Sequence, residues 1–186
     1  GVILDWVPGW FPKQNEGLAD FDGTCLYEHL DEKKKNHPFR NVRLYNYGRN
    51  EVKNYLIANA MFWVEKYHAD GIRMVSVDSM LYLDYGKGEG QWIPNMYGGN
   101  ENLEAVEFIK HLNSMMKKRN PGVLMVAEEH SAWAGVTGEL KKEGLGFDYK
   151  WNTSWAKDYL NYIVYDPYFR SHHQEERTLS MVYAYS

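Results

Sequence analysis

The sequence is poor in the features that hold small secreted proteins together or anchor proteins in membranes. Among 186 residues there is one cysteine, Cys25, so no intrachain disulfide can form and nothing marks an oxidising compartment. No apolar run approaches the roughly 18 residues of a membrane helix. The opening Gly1-Val2-Ile3-Leu4-Asp5-Trp6 lacks the basic stretch and small-residue cleavage site of a leader, and a soluble cytoplasmic protein is the expectation. Basic charge is not in excess either. A formal net charge of -4 and a pI near 6.0 argue against nucleic acid as a partner, because phosphate-backbone sites need clustered Lys and Arg. The one basic run, Lys33-Lys34-Lys35, follows Asp31-Glu32 and reads as a solvated loop. No glycine-rich nucleotide loop follows any strand. His172 and His173 are adjacent and so not at the spacing of a helical zinc pair; no metal and no cofactor are expected. Asn152-Thr153-Ser154 matches a glycosylation pattern that matters only in secreted chains.

What is present suffices for one packed core: 44% of residues are hydrophobic and 25% charged. The apolar run from Val2 to Leu4, ending at Asp5 before Pro8-Gly9, reads as a buried strand. Residues 17–47 are polar and aromatic without sustained period, which predicts a long functional loop. Val52, Leu56, Ala60, Trp63 and Val64 fall at helical spacing and predict a helix over 51–67 with Asn50 as its N-cap. Residues 71–77 are short and β-rich, and a second long loop covers 83–99. A helix from Asn100 or Glu101 to about Lys118 stops at Asn120-Pro121-Gly122. Val123 to Ala127 is the next strand, 144–150 and 178–183 are candidates for two more, and 154–165 is a candidate helix. Strands alternating with helices imply βαβ units and a parallel sheet. That sheet is either open and doubly wound or part of a (β/α)8 barrel, which typically takes about 250 residues.

In parallel barrels the functional residues sit at the C-terminal strand ends. Those ends carry Asp5 with Trp6, the stretch from Arg73 to Asp78, and Glu128 with Glu129. Three polar exits in succession, each followed by a loop, predict one shared pocket. Aromatics make up 16% of residues, and flat rings with polar edges suit core packing and also stacking on sugars.

A series of strings then carries a specific resemblance. They are Asp5-Trp6-Val7-Pro8-Gly9, Tyr27-Glu28-His29, Tyr45-Asn46-Tyr47-Gly48-Arg49, Asp70-Gly71-Ile72-Arg73, Trp92-Ile93-Pro94-Asn95, Gly98-Gly99-Asn100-Glu101-Asn102, Ala127-Glu128-Glu129 and Tyr149-Lys150-Trp151-Asn152. In this order they resemble bacterial glycogen branching enzymes of the α-amylase superfamily, over essentially the whole chain. The resemblance implies a partial (β/α)8 TIM-type barrel, roughly strands three to seven, with residues 1–186 forming a fragment of one catalytic domain that lacks the early strands, the last strand and the flanking domains. It implies a retaining transglycosylase that cuts an α-1,4 bond in an α-glucan and passes the chain to a sugar 6-hydroxyl. Such chemistry uses two carboxyls about 5 Å apart, one attacking and one acting as acid and base. By this resemblance Glu128 is the acid/base, Arg73 orients the nucleophile, Asp5 supports the first-strand pocket, and Trp10, Tyr47, Trp92 and Tyr97 are sugar contacts.

Two positions depart from the pattern. Where the family carries its nucleophilic Asp this chain has Val75, and an isopropyl group cannot form a glycosyl ester. Asp78 follows three residues later, an odd offset that on a strand points to the opposite face. The family's first motif ends in His, where this chain has the bulkier Trp10, a donor without an acceptor. The expectation is a fragment with little or no turnover. Its alternative is a catalytically silent glucan-binding module gripping sugar through Trp10, Trp92, Tyr97 and Trp133.

Overall fold

The computed structural model describes residues 1–14, 16–151 and 153–173. Its framework is a sheet of four parallel strands, β1 (Ile3–Trp6), β4 (Gly71–Met74), β5 (Leu124–Glu128) and β6 (Tyr149–Trp151), adjacent in the order β1-β4-β5-β6. Neighbours in space are thus successive parallel strands in sequence, without the reversal that marks a doubly wound sheet. Between β1 and β4 lie a two-stranded antiparallel ribbon, β2 (Trp10–Pro12) with β3 (Val42–Leu44), the single turn α1 (Glu32–Lys35) and the long helix α2 (Asn50–Tyr67). The short α3 (Val77–Leu81) follows β4, then α4 (Leu103–Arg119) leads into β5, and α5 (Thr153–Val164) follows β6. The strand expected over 178–183 lies outside the described residues.

Alternation along each strand divides the sheet. Ile72 and Met74 of β4 and Met125 and Ala127 of β5 point to one face, and all four are fully buried. They pack in one cluster with Val52, Leu56, Ala60 and Val64 of α2 and with Phe108, Ile109, Leu112 and Met116 of α4. Trp6, on the same face, adds an indole N–H bond of 2.7 Å to Asn59 Oδ1 on α2. The opposite face carries Ile3, Asp5, Arg73, Val126, Glu128, Tyr149 and Trp151, of which Ile3, Tyr149 and Trp151 are about half exposed at 48%, 59% and 50%. One face of the sheet is therefore covered by helices and the other is largely open.

Local chemistry accounts for the element ends, with some corrections. Asn50 is inside α2; the cap position is Arg49, which makes no side-chain cap bond. The helix ends at His68 in the left-handed region. Helix α4 begins at Leu103, later than expected, because Asn102 is its cap and accepts from the Ala105 N–H. Strand β4 stops at Met74 rather than Val77: Ser76 turns the chain with φ 55°, and α3 starts behind it. Strand β6 covers only 149–151 of the expected 144–150. The 17–47 stretch keeps its loop character but contains α1 and β3.

Candidate active site at the strand exits

Because the four strands run parallel, their C-terminal ends share one edge of the sheet, and register decides which side chains meet there. Asp5 is paired with Arg73, Arg73 with Val126, and Glu128 with Trp151. The guanidinium of Arg73 donates through Nε to Asp5 Oδ1 at 2.7 Å and through Nη2 to Asp5 Oδ2 at 2.6 Å, the bidentate fork that suits a carboxylate. Its remaining nitrogen, Nη1, lies 3.9 Å from Glu128 Oε2. The hydrogen bonds from Arg73 hold the Asp5 carboxyl below its usual range against a small opposing effect of burial, and the same bonds raise Arg73. Both acids thus face one cation on the open side of the sheet.

Trp151 and His130 complete this cluster. The guanidinium carbon of Arg73 sits 4.8 Å from the Trp151 ring centroid, a cation-π arrangement that fixes the fork from the side opposite Asp5. His130 Nε2 lies 3.5 Å from Glu128 Oε1, and its Nδ1 is 2.8 Å from Thr153 Oγ1 at the start of α5. Ile3, Asp5, Arg73, Val126 and Trp151 line an open depression of about 400 Å³. Sequence reasoning assigned no role to Trp151 or His130. The signal for Trp151 was the period-2 pair Tyr149 and Trp151, which places both rings on the face of Glu128.

Adjacent Glu129 points the other way and is fully buried. It accepts from the Ser131 amide at 2.6 Å and forms an ion pair with Lys150 at 2.9 Å. These bonds tie the exit of β5 to β6 and fix the direction of Glu128.

Val75 follows β4 directly. Its amide still donates to Trp6 O at 2.9 Å, so the ladder reaches it, and alternation places it on the face of Arg73. Asp78 is not on a strand, and the offset argument does not apply to it. It lies in the first turn of α3, 7% exposed, accepting from Ser76 Oγ at 3.1 Å and the Ser79 amide at 2.8 Å. Its carboxylate closes a turn.

The expected sugar contacts do not form one group. Tyr47 is a core residue: it is 3% exposed, stacks on Phe108 with centroids 5.3 Å apart and donates its hydroxyl to Pro8 O at 2.9 Å. Its hydroxyl and one side of its ring are engaged within the core, and it also borders a small cavity. Trp10 is half-buried at the start of β2, edge-on to His37 at 5.3 Å and covered by Arg40 at 4.7 Å. Trp92 is half-buried in the loop after α3. Tyr97 is 81% exposed at the tip of a turn closed by Asn95, whose Oδ1 accepts from the Tyr97 and Gly99 amides. Trp133 stands edge-on to Tyr82 at 5.5 Å.

Among the described residues, Asp20, Cys25 and Glu28 bring possible metal ligands within 4.8 Å of one another. The buried Glu28 carboxylate, however, already accepts from the Asp20 and Tyr27 amides and so closes its own loop. No helix among the described residues is long and apolar enough to cross a membrane.

The chain is a parallel α/β segment with an arginine set between two carboxylates at the C-terminal edge of its sheet, and solved structures share the fold. The chain superposes on a maltogenic α-amylase, AmyB of Thermotoga neapolitana, with TM-score 0.54, 16% identity, and coverage of 87% of this chain and 30% of that one. It superposes on a family GH13_31 enzyme with TM-score 0.53, 15% identity, and coverage of 82% and 35%. No protein-family model matches the chain. In sequence the chain is similar over its whole length to 1,4-alpha-glucan branching enzymes GlgB. It is 54% identical over all 186 residues to that of Thermobifida fusca and 58% identical over all 186 to GlgB 2 of Rhizobium etli, spanning 25% of the length of each.

Proposed function

We propose that this chain is part of the catalytic barrel of a 1,4-alpha-glucan branching enzyme and that it forms the acid/base half of a retaining site without the nucleophile. The observation that carries the reading is the run Asp5, Arg73 and Glu128 across three neighbouring strand exits, with Val75 standing next on the same face. The monotonic strand order, the helices confined to one face and the open opposite face support a barrel arc whose interior is the open face. In such a site Glu128 protonates the leaving glycosidic oxygen and later takes the proton of the accepting 6-hydroxyl, while Arg73 with Asp5 holds positive charge beside the position from which a carboxylate attacks. Val75 offers no oxygen there, so the covalent intermediate has no route. The substrate under this reading is an α-glucan such as amylose or glycogen, and the setting is cytoplasmic.

The test is a graft. Residues 1–186 replace the corresponding segment of the Thermobifida fusca branching enzyme, with Val75 kept or changed by Val75→Asp, and branching of amylose is followed by loss of iodine staining and gain of α-1,6 linkages. The Val75 graft is expected to fall by about three orders of magnitude or more relative to the Val75→Asp graft, the scale of losing a nucleophile. Activity of the Val75 graft equal to that of its Asp variant would overturn the nucleophile assignment. A folded but silent Asp graft that recovers on Trp10→His locates a second block at Trp10.

A glucan-binding role without turnover is favoured by one observation, Trp151, an indole half exposed beside the guanidinium of Arg73 at the strand exits. Maltooligosaccharide affinity that is lost on Trp151→Ala, with no turnover in either graft, is its signature.

A further inference from the structure

The clearest unexplained feature lies away from Glu128. A small, partly open cavity of about 30 Å³ has His29, Lys33, Lys34, His37 and Lys87 in its wall beside apolar and aromatic side chains such as Leu44, Met80 and Tyr85, and no carboxylate lines it. In a chain of net charge -4 that concentration of cations needs a reason. It opens beside a second cavity of about 270 Å³ that shares His29, Lys34, Leu83 and Asn102 and continues to Asn95, Met96 and Glu104.

The cationic end is fixed by its neighbours. Lys87 donates from Nζ to Lys33 O at 2.6 Å. Gly86, just before it, has φ 64° and lies so close to Phe39 and Pro38 that an added Cβ would sit 2.2 Å from Phe39 Cε2 and 2.9 Å from Pro38 Cγ. The tight, glycine-dependent approach therefore sets the direction in which Lys87 enters. Among the described residues Lys33, Lys34 and Lys87 have no carboxylate partner within 4.0 Å. Asp31 and Asp84 are near enough to favour the Lys87 charge, but Asp31 caps α1 and Asp84 accepts from Asn100. Burial pushes Lys87 down, and burial together with Lys34 and Lys87 pushes His29 down to about 4. Cations collected in a partly dry cavity with no directly paired carboxylate are only partly compensated.

The outer cavity has a different character. Leu83, Pro94 and Met96 offer apolar contact, Glu104 can accept from a hydroxyl and disfavours a second negative charge there, and Asn95, held by Tyr97, Gly99 and Glu101, shapes the wall. A compact ligand with one anionic end and one neutral, hydroxyl-rich end matches this polarity. We propose that the paired cavities form a binding site for a phosphate monoester carried on a hexose ring, the phosphate at Lys34 and Lys87 and the ring against Asn95, Met96 and Glu104. Ammonium groups hold phosphate as point charges. Lysine donors and the neutral ring of His29 together place the phosphate at the mouth of the inner cavity. Neither Glu128 nor Val75 lines either cavity, and neither reading depends on the other.

Calorimetric titration of the intact chain, after a cooperative melt is recorded, tests the proposal with glucose 6-phosphate, inorganic phosphate, glucose and a phosphorylated maltodextrin. Glucose 6-phosphate is expected to bind more tightly than inorganic phosphate, and glucose not measurably. Affinity should fall as salt rises. It should weaken about tenfold or more in Lys34→Gln and in Lys87→Gln, the loss of one charge-assisted bond, and stay unchanged in Lys118→Gln on the far end of α4. Binding should also raise the titration midpoint of the His29 ring, read by NMR, because the anion offsets the two lysines. If Lys87→Gln fails to melt cooperatively, Lys34→Gln and the His29 readout carry the test. Tighter binding of phosphorylated maltodextrin than of glucose 6-phosphate assigns a polymer-borne monoester, and the reverse assigns a free sugar phosphate; both support the shared chemistry. Equal affinity for inorganic phosphate and glucose 6-phosphate, an unmoved His29, or affinity unchanged by the lysine substitutions would overturn it.

Discussion

Arg73 is the residue through which the strand exits communicate: it gives two hydrogen bonds to Asp5, one long contact to Glu128 and a ring contact to Trp151. Because hydrogen bonding by Arg73 is the main cause that lowers Asp5, Arg73→Gln is expected to move the Asp5 titration midpoint up toward the ordinary carboxylate value, as read by carboxyl-carbon NMR. An unmoved midpoint would show that the pair is not formed in solution. The sign for stability follows from linkage. A carboxyl depressed in the folded state adds stability above its unfolded value, and that contribution disappears as pH falls through the folded value. Asp5 is largely exposed, 59% by side chain, so solvent screening keeps the contribution small. Its work is orientation of the guanidinium.

Residue-scale legibility in the sequence was uneven for a physical reason. Asp5, Arg73 and Glu128 could be found because strand exits concentrate polar residues after apolar runs. Val75 stood out only against the resemblance, which implies an Asp at that place. The place of Tyr47 in the core was not legible, because a tyrosine presents the same letter whether its hydroxyl faces solvent or, as here, the carbonyl of Pro8.

At the scale of elements, α2 and α4 were readable because each repeats its apolar positions over 18 and 17 residues, long enough for the helical period to dominate. Their ends were less readable, since capping depends on backbone geometry that composition reports only loosely. The ribbon of β2 and β3 escaped because three-residue strands carry too little alternation. Helix α3 escaped because it is only five residues long, too short for a helical period to show. The caps make testable statements. Asn102→Ala removes the side-chain acceptor at the start of α4 and is expected to cost about 1 kcal/mol in chemical unfolding, as such caps do. A change below the error of the midpoint would mean that the 3.4 Å bond to Ala105 contributes nothing in solution.

At the scale of the molecule, the uneven covering of the sheet is the dominant fact. One face is sealed by α2 and α4, whereas the other presents Ile3, Tyr149 and Trp151 beside the charged cluster. Exposed apolar surface, next to strands β1 and β6 that are edge strands among the described residues, favours contact between copies. The mass from sedimentation velocity is expected to rise with concentration in the micromolar range, and the double substitution Ile3→Lys with Tyr149→Lys is expected to return the chain to a monomer. A concentration-independent monomer without the substitutions would show that this face is covered in solution.

The parallel ladder that brings Asp5 to Arg73 also sets a kinetic problem for the chain. The two residues are 68 positions apart, so their contact cannot form until the ribbon, α1 and the whole of α2 have been gathered into a closed loop, and loop-closure entropy must be met before that contact stabilises anything. Helix α2 can form within microseconds from its own residues, long before the strands it packs against have met. The clustered acids and arginine are therefore among the last features to appear during folding, and a chain released from a ribosome would hold a finished helix while its strand exits were still apart.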